Sequence, residues 1–187
     1  MNIGIDIDDT LTDSFDYFMP FVAEYFHVTI HELKSRNISY GNFPEEWKKD
    51  ELDFCRTYYD RVAANTPFKP DAAWAVQKLR ELGHRIIIIT ARTAAFYTDP
   101  YQTTKKELSN GHIVYDKLLC TLDKAEACLQ ENISLLIDDS PTNCFAVNKE
   151  GVSALLFTSK ANQAVTTTLK RVSDWKEVVA IISTIEQ

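Results

Sequence analysis

Glycine is scarce in this 187-residue sequence, occurring five times where average usage of about 7% would give roughly 13. The two nearest, Gly83 and Gly111, are 28 positions apart. Both glycine-rich phosphate loops, GxGxxG and GxxxxGK, need two glycines within a few positions and are therefore excluded. If this protein handles phosphate, it does so without a glycine cradle. Basic residues are also outnumbered, 20 Lys and Arg against 27 Asp and Glu, for a net charge of −7. That balance argues against polymeric nucleic acid bound by neutralising its phosphates. No apolar run approaches the ~20 residues of a membrane span, and no basic and apolar leader precedes the first strand. The expectation is a cytoplasmic protein with no membrane partner. Cys55, Cys120, Cys128 and Cys144 form no CxxC pair and read as reduced structural thiols.

What is present is ordinary for a soluble domain, with 45% hydrophobic and 25% charged residues. This length supports one core, with room for a small insertion. Five short apolar runs read as strands: Asn2–Ile7, Arg85–Ile89, Lys117–Thr121, Ser134–Ile137 and Ser153–Phe157. Most are continuous in Ile, Leu and Val, as strands buried on both faces are. Between the later ones lie helical stretches at Asp71–Leu82, Thr103–Leu108, Lys124–Gln130 and Thr142–Lys149. A closing helix over Asp174–Ile185 is expected to begin at Ser173 as N-cap. Strands alternating with helices predict an α/β fold with a doubly wound parallel sheet.

The first two strands are separated by far more chain than the dozen residues a crossover needs. Residues 14–67 carry two aromatic-rich helical stretches, Phe15–Phe26 and Glu45–Ala64, around an irregular segment, Ser35–Pro44. They are read as a small helical cap inserted after strand one, on a core of residues 1–13 and 68–187. Phe15, Phe18, Val22 and Tyr25, like Trp47, Phe54 and Tyr58, recur at helical spacing and read mainly as the cap's own core.

The chemistry gathers at strand ends. Strand one runs into Asp6-Ile7-Asp8-Asp9-Thr10, and alternation places Asp6 and Asp8 on the face opposite Ile3, Ile5 and Ile7. Two carboxylates about 4 Å apart repel by roughly 4 kcal/mol at an effective dielectric near 20, so the cluster calls for a cation or a proton. Strand four ends in Asp138-Asp139, strand two in Thr90-Ala91-Arg92, and Lys124 opens the helix after strand three. In a parallel sheet these carboxyl ends face one crevice. An all-oxygen donor set with no His or Cys suits Mg²⁺ rather than zinc. Lys117 lies at the opposite end of its strand, so Lys124 is preferred as the cation facing the crevice, toward an anionic partner. Arg92 is placed either to hold a substrate or to pair with the acids. His27 and His31 read as a surface coincidence, and Lys105 and Lys106 as a solvated face.

The set DxDxT (Asp6, Asp8, Thr10), Thr90, Lys124 and Asp138-Asp139, in that order, resembles the four motifs of the haloacid-dehalogenase-like phosphatases. The likeness spans roughly residues 1–13 and 68–160. The cap position and the ending Leu135-Leu136-Ile137-Asp138-Asp139-Ser140-Pro141 are most similar to the 5′-(deoxy)ribonucleotidases and their bacterial relatives. The resemblance implies a Rossmann-like core and an Mg²⁺-dependent phosphomonoesterase acting through an aspartyl-phosphate. Asp6 is the implied nucleophile and Asp8 the general acid and base, while Thr90, Ala91 and Lys124 hold the phosphate. Asp6, Asp8 (through its backbone carbonyl), Asp138 and Asp139 are the implied metal ligands. The implied substrate is a small phosphorylated metabolite, with a nucleoside monophosphate favoured and a sugar phosphate the alternative. Three departures concern recognition of the base: Asp9 where Gly is frequent, Ser14 then Phe15 where an aromatic usually comes first, and Thr90-Ala91-Arg92 in place of Thr-Ser-Pro. A phospho-accepting receiver domain shares these residue types, but it needs its acceptor Asp on strand three and its Thr on strand four. A catalytically idle binding protein is a third reading, which the filled motifs do not favour.

Overall fold

The computed structural model describes residues 1–36, 38 and 43–185. Its centre is one parallel sheet of six strands: β1 (Asn2–Ile5), β2 (Arg85–Thr90), β3 (Lys117–Cys120), β4 (Leu135–Asp138), β5 (Ser153–Phe157) and β6 (Lys170–Val172). They lie in the order β3-β2-β1-β4-β5-β6. Strand alternation divides the isoleucine run of β2 between two layers. Ile86 and Ile88 pack with Ala75, Leu79, Val178 and Ile182 on one face. Ile87 and Ile89 pack with Ala127, Cys128 and Val147 on the other. Helices α4 (Ala72–Glu81) and α8 (Trp175–Ile185) therefore cover one side, and α6 (Lys124–Gln130) and α7 (Pro141–Lys149) the other. The doubly wound α/β fold expected from the sequence is the fold observed.

Residues 14–63 carry α1 (Ser14–Tyr25), α2 (Ile30–Ser35), a 3₁₀ turn (Glu45–Trp47) and α3 (Lys48–Ala63). Their apolar faces meet in a cluster of their own, containing Phe18, Met19, Val22, Leu33, Phe54 and Val62. Phe54 is fully buried and meets the rings of Phe18 at 5.3 Å, Tyr58 at 5.3 Å and Phe43 at 5.4 Å. Edge and tilted contacts of this kind suit the ring quadrupole. The aromatic spacing in the sequence therefore reports packing within this element. Its two connections to the sheet run side by side: Thr12 pairs with Phe68, and the Asp13 amide donates to the Pro67 carbonyl at 2.9 Å.

Some elements differ from the sequence reading. β6 escapes detection because it is three residues long and starts Lys-Arg. α2 is a six-residue helix held by a capping box between Thr29 and Glu32. The irregular segment expected over Ser35–Pro44 includes residue 37 and residues 39–42, which lie outside the described set. At α8 the cap is Asp174, whose carboxylate accepts the Glu177 amide at 2.8 Å. Ser173 instead donates its own amide to the Glu177 carboxylate.

Helix α5 (Pro100–Asn110) ends at Gly111, where close approach rather than backbone conformation demands glycine. A Cβ there would stand 2.2 Å from the Phe68 ring. Gly111→Ala is expected to cost about 1–3 kcal/mol in urea denaturation, the usual range for overpacking. The displaced ring is the one that pairs beside Thr12.

Candidate active site

The strand order reverses between β1 and β4, and ligands of open α/β sheets bind at the carboxyl ends beside such a point. Asp6 follows β1, Asp138 ends β4, Thr90 ends β2, and Lys124 opens α6 just after β3. The Asp6 amide still donates to the Ile137 carbonyl at 3.0 Å, which keeps the two acidic segments in register. Lys124 reaches between them, donating to Asp6 Oδ1 at 2.5 Å and Asp138 Oδ2 at 2.7 Å. Asp138 also accepts the Ser140 amide at 2.7 Å and the Asn143 side chain at 3.1 Å. Asp139 accepts from Ser159 Oγ at 2.9 Å.

Acid exceeds base in this group. Oxygens of Asp6, Asp138 and Asp139 all lie within 4.8 Å of one another, and Lys124 is the cation bonded among them. Burial pushes Asp6 up, Lys124 pulls it down, and the charges of Asp138 and Asp8 push it up again, leaving its pKa at about 7. Burial and the charges of Asp6, Asp138 and Asp9 hold Asp139 well above the usual carboxylate range. Lys124 keeps its proton, because the two aspartates outweigh its burial. The donor set fits a hard divalent cation: three carboxylates, two of them buried, with no nitrogen or sulfur ligand among them.

Asp8 belongs to a second ion cluster. Arg92 grips it with two hydrogen bonds, Nε to Oδ2 at 3.1 Å and Nη2 to Oδ1 at 2.8 Å. Ser14 Oγ donates to the same Oδ1 at 3.0 Å. Behind Arg92 stands Glu107 of α5, 1% exposed and in contact with both terminal guanidinium nitrogens. Burial would push Asp8 up, but the charge and hydrogen bonds of Arg92, then Ser14, hold it below its ordinary value. Burial dominates at Glu107 and lifts it to about 7 despite Arg92. Asp9 has φ 58°, a left-handed backbone that suits the glycine frequent at this position in the resembled superfamily. Its carboxylate accepts the Phe15 amide at 2.8 Å and so ties the loop to α1.

Asp8 and Arg92 open onto a cavity of about 240 Å³ between the sheet and the helical insertion. Its apolar walls include Phe18 and Tyr59 from the insertion and Phe96, Tyr97 and Leu122 from loops of the sheet. Tyr59 lies 5.3 Å from Tyr97 and 6.0 Å from Phe96, ring to ring. Asp60 of α3 locks this contact by accepting from Thr103 Oγ1 at 2.7 Å and the Thr98 amide at 3.0 Å.

The residues expected from the sequence to form the site fall at this end of the sheet. Asp6, Lys124, Asp138 and Asp139 form one group, Asp8 stands in the Arg92 cluster, and Ala91 lines the cavity. The Thr90 hydroxyl is fully buried and has no hydrogen-bond partner among the described residues. Lys117 instead pairs with Glu131 at the far end of β3. No helix among the described residues is long and apolar enough to cross a membrane. The four cysteines are free thiols. Sequence reasoning missed Ser14, Tyr59, Tyr97 and Glu107. The one signal was Glu107 itself, a charge beside Leu108 and three residues after Thr104, on the face that α5 buries.

Comparison with known proteins gives matches along the whole chain. The model of the family described as "5′ nucleotidase, deoxy (Pyrimidine), cytosolic type C protein" matches residues 1–187. A nucleotidase of Clostridium acetobutylicum is 26% identical over 185 residues, covering 97% of this chain and 93% of the relative. Among solved structures, a predicted phosphatase from the same organism superposes with a TM-score of 0.72 at 17% identity, covering 98% of both chains. A haloacid dehalogenase-like family hydrolase of Streptococcus pneumoniae gives 0.68 at 15% identity, covering 97% of both.

Proposed function

The chain belongs to the cytosolic type C 5′-nucleotidase family, and from that premise we propose that this phosphatase is Mg²⁺-dependent and cleaves nucleoside monophosphates through an aspartyl-phosphate on Asp6. The observation that carries the reading is the Thr90 hydroxyl, buried without a partner among the described residues at the same strand ends as Asp6 and Lys124. A buried hydroxyl left unsatisfied costs about 1–3 kcal/mol, and a phosphate oxygen would satisfy it. Residues 1–13 and 68–187 serve as the phosphatase core in this reading, and residues 14–67 as the cap over the leaving group.

The chemistry follows from the groups present. An Asp6 oxygen attacks phosphorus as the bond to the leaving oxygen breaks, and Asp8 gives that oxygen its proton. Water then attacks the phosphorus, Asp8 takes the water's proton, and phosphate departs from Asp6. Arg92 and Ser14 keep Asp8 as a carboxylate in the resting protein, the form the second step needs. A phosphate dianion beside it favours the protonated form that the first step needs. Thr90, Ala91 and Lys124 bind the phosphoryl group, and Lys124 offsets the charge that grows on its oxygens. Mg²⁺ would be held by Asp6, Asp138, Asp139 and the Asp8 carbonyl. When bound, it offsets the repulsion between the carboxylate and the phosphate.

The aromatic, mostly apolar cavity beside Asp8 favours a nucleoside over a polyol as leaving group. A screen of phosphate monoesters with and without Mg²⁺ tests this, including deoxy and ribo nucleoside 5′- and 3′-monophosphates. Nucleoside monophosphates should be turned over fastest, and only with the cation. Sugar phosphates turning over much faster would remove the nucleotidase reading and leave the phosphatase. Phe96→Ala, which strips one wall of the cavity, should raise KM for the best nucleotide about tenfold, roughly the effect of losing one 1.4 kcal/mol contact.

A further inference from the structure

Arg92 has five N–H donors, and all five are in use. Nε and one Nη2 hydrogen go to Asp8 at 3.1 and 2.8 Å, and the other Nη2 hydrogen goes to Glu107 Oε1 at 3.3 Å. Nη1 serves Thr104 Oγ1 at 3.4 Å and Glu107 Oε2. No donor remains to grip a substrate, so Arg92 is occupied with holding Asp8.

The arrangement is expensive for a purely structural feature. Arg92 is 3% exposed and Glu107 1%, and burying such ions costs several kcal/mol each before pairing offsets it. Apolar residues of similar volume would fill the same space at no such cost. Glu107 is neither among the residues that line the cavity nor a member of the three-carboxylate group. What it contacts is the guanidinium, and a forked guanidinium fixes the plane of a carboxylate as a point charge does not. Without Glu107, Arg92 could swing about its long side chain and carry the Asp8 carboxyl with it.

We propose that Glu107 is a positioning residue for the reaction, clamping Arg92 so that Arg92 holds the Asp8 carboxyl against the leaving oxygen. The step it governs is the first. The P–O bond breaks, its electron pair goes to the leaving oxygen, and that oxygen receives the Asp8 proton while Asp6 takes over the phosphoryl group. The inference rests on Asp8 being the proton donor of the proposed function.

Leaving-group dependence separates positioning from a structural role. The nucleoside of a 5′-monophosphate would leave as a poor alkoxide and needs the proton, whereas p-nitrophenol leaves its phosphate as a stable phenolate and does not. In the full chain, Glu107→Gln should lower kcat/KM for the nucleotide about 10- to 100-fold, within the range general acid catalysis supplies. The loss on p-nitrophenyl phosphate should stay below about threefold, since that substrate bypasses general acid catalysis. Equal losses on both substrates, or no loss on either, would overturn the proposal. If thermal melting shows Glu107→Gln unfolded, Arg92→Lys asks the same question, since lysine keeps the charge without the fork. Asp8→Asn is the control for the underlying reading. If it fails to discriminate the two substrates, Asp8 is not the proton donor. If it discriminates and the Glu107 and Arg92 variants do not, Asp8 stands and the positioning role falls.

Discussion

Asp6→Asn is expected to lower phosphate release by about 10⁴-fold or more, the scale seen when a nucleophile is removed, and yet to stabilise the metal-free protein at pH 8. The first half follows from chemistry, since an amide oxygen cannot carry the phosphoryl group through an aspartyl-phosphate. The second follows from burial. Asp6 titrates at about 7 in the folded chain against an ordinary value of 3.8. A carboxyl raised by folding favours the folded state in full below pH 3.8, and that contribution is lost as pH climbs through 7. At roughly 1.4 kcal/mol per unit, the wild-type carboxylate costs the metal-free protein on the order of 4 kcal/mol by pH 8. An asparagine carries no such cost and still offers Lys124 a carbonyl oxygen. Urea denaturation with EDTA should therefore find the variant more stable at pH 8, by roughly 2–4 kcal/mol. The difference should shrink toward zero near pH 4. A wild type more stable than Asp6→Asn at pH 8 would refute this electrostatic account, and release retained with Mg²⁺ would exclude Asp6 as nucleophile.

Lys124→Met should have the next largest effect, and its sign on stability is the opposite. The lysine lies between Asp6 and Asp138 with its side chain 3% exposed. Methionine matches its stem but leaves both carboxylates without a counter-charge, and breaking a buried pair from one side costs about 3–5 kcal/mol. The cost should be largest above pH 7, where Asp6 is ionised in the parent protein, and should fall as acid supplies protons. Activity should drop about 10²–10³-fold, the scale of losing one donor that stabilises the transition-state charge. Mg²⁺ should raise the melting temperature of Lys124→Met more than that of wild type. An equal rise would show that the three carboxylates do not hold the ion.

Much of this site was legible in the sequence because its logic is topological. Once the apolar runs are read as parallel strands, the residues just after Ile5, Ile89 and Ile137 must share one edge of the sheet. Asp6, Thr90 and Asp138 then meet whatever lies between them in the chain. Residues contributed through helix docking were harder to find. Tyr59 reaches the cavity only because α3 is fastened over the Phe96-Tyr97 loop by Asp60. Its spacing with Cys55 and Val62 says that one face of α3 is buried, not what it is buried against. Glu107 was visible as a charge in a buried phase, but its partner Arg92 lies in a loop whose course no periodicity reveals. Arg92 stood in the sequence between two roles, and counting its donors decides for the carboxylates.

The paired stem under the helical insertion has a consequence of another kind. Leu11 accepts the Lys69 amide at 2.8 Å, Asp13 donates to Pro67 at 2.9 Å, and Thr12 stands opposite Phe68. The chain thus leaves the sheet and returns to it at nearly one point, and the entropy of closing such a loop grows only slowly with its length. A shorter, longer or unrelated segment grafted between residues 13 and 67 would leave Asp6, Thr90 and Lys124 where they are. Ser14, Phe18, Tyr59, Val62 and Ala63, five residues of the cavity lining, would be exchanged as one piece. On the proposed function, most of the groups that would break the P–O bond and much of the surface that would select the leaving group therefore lie on separate stretches of the chain.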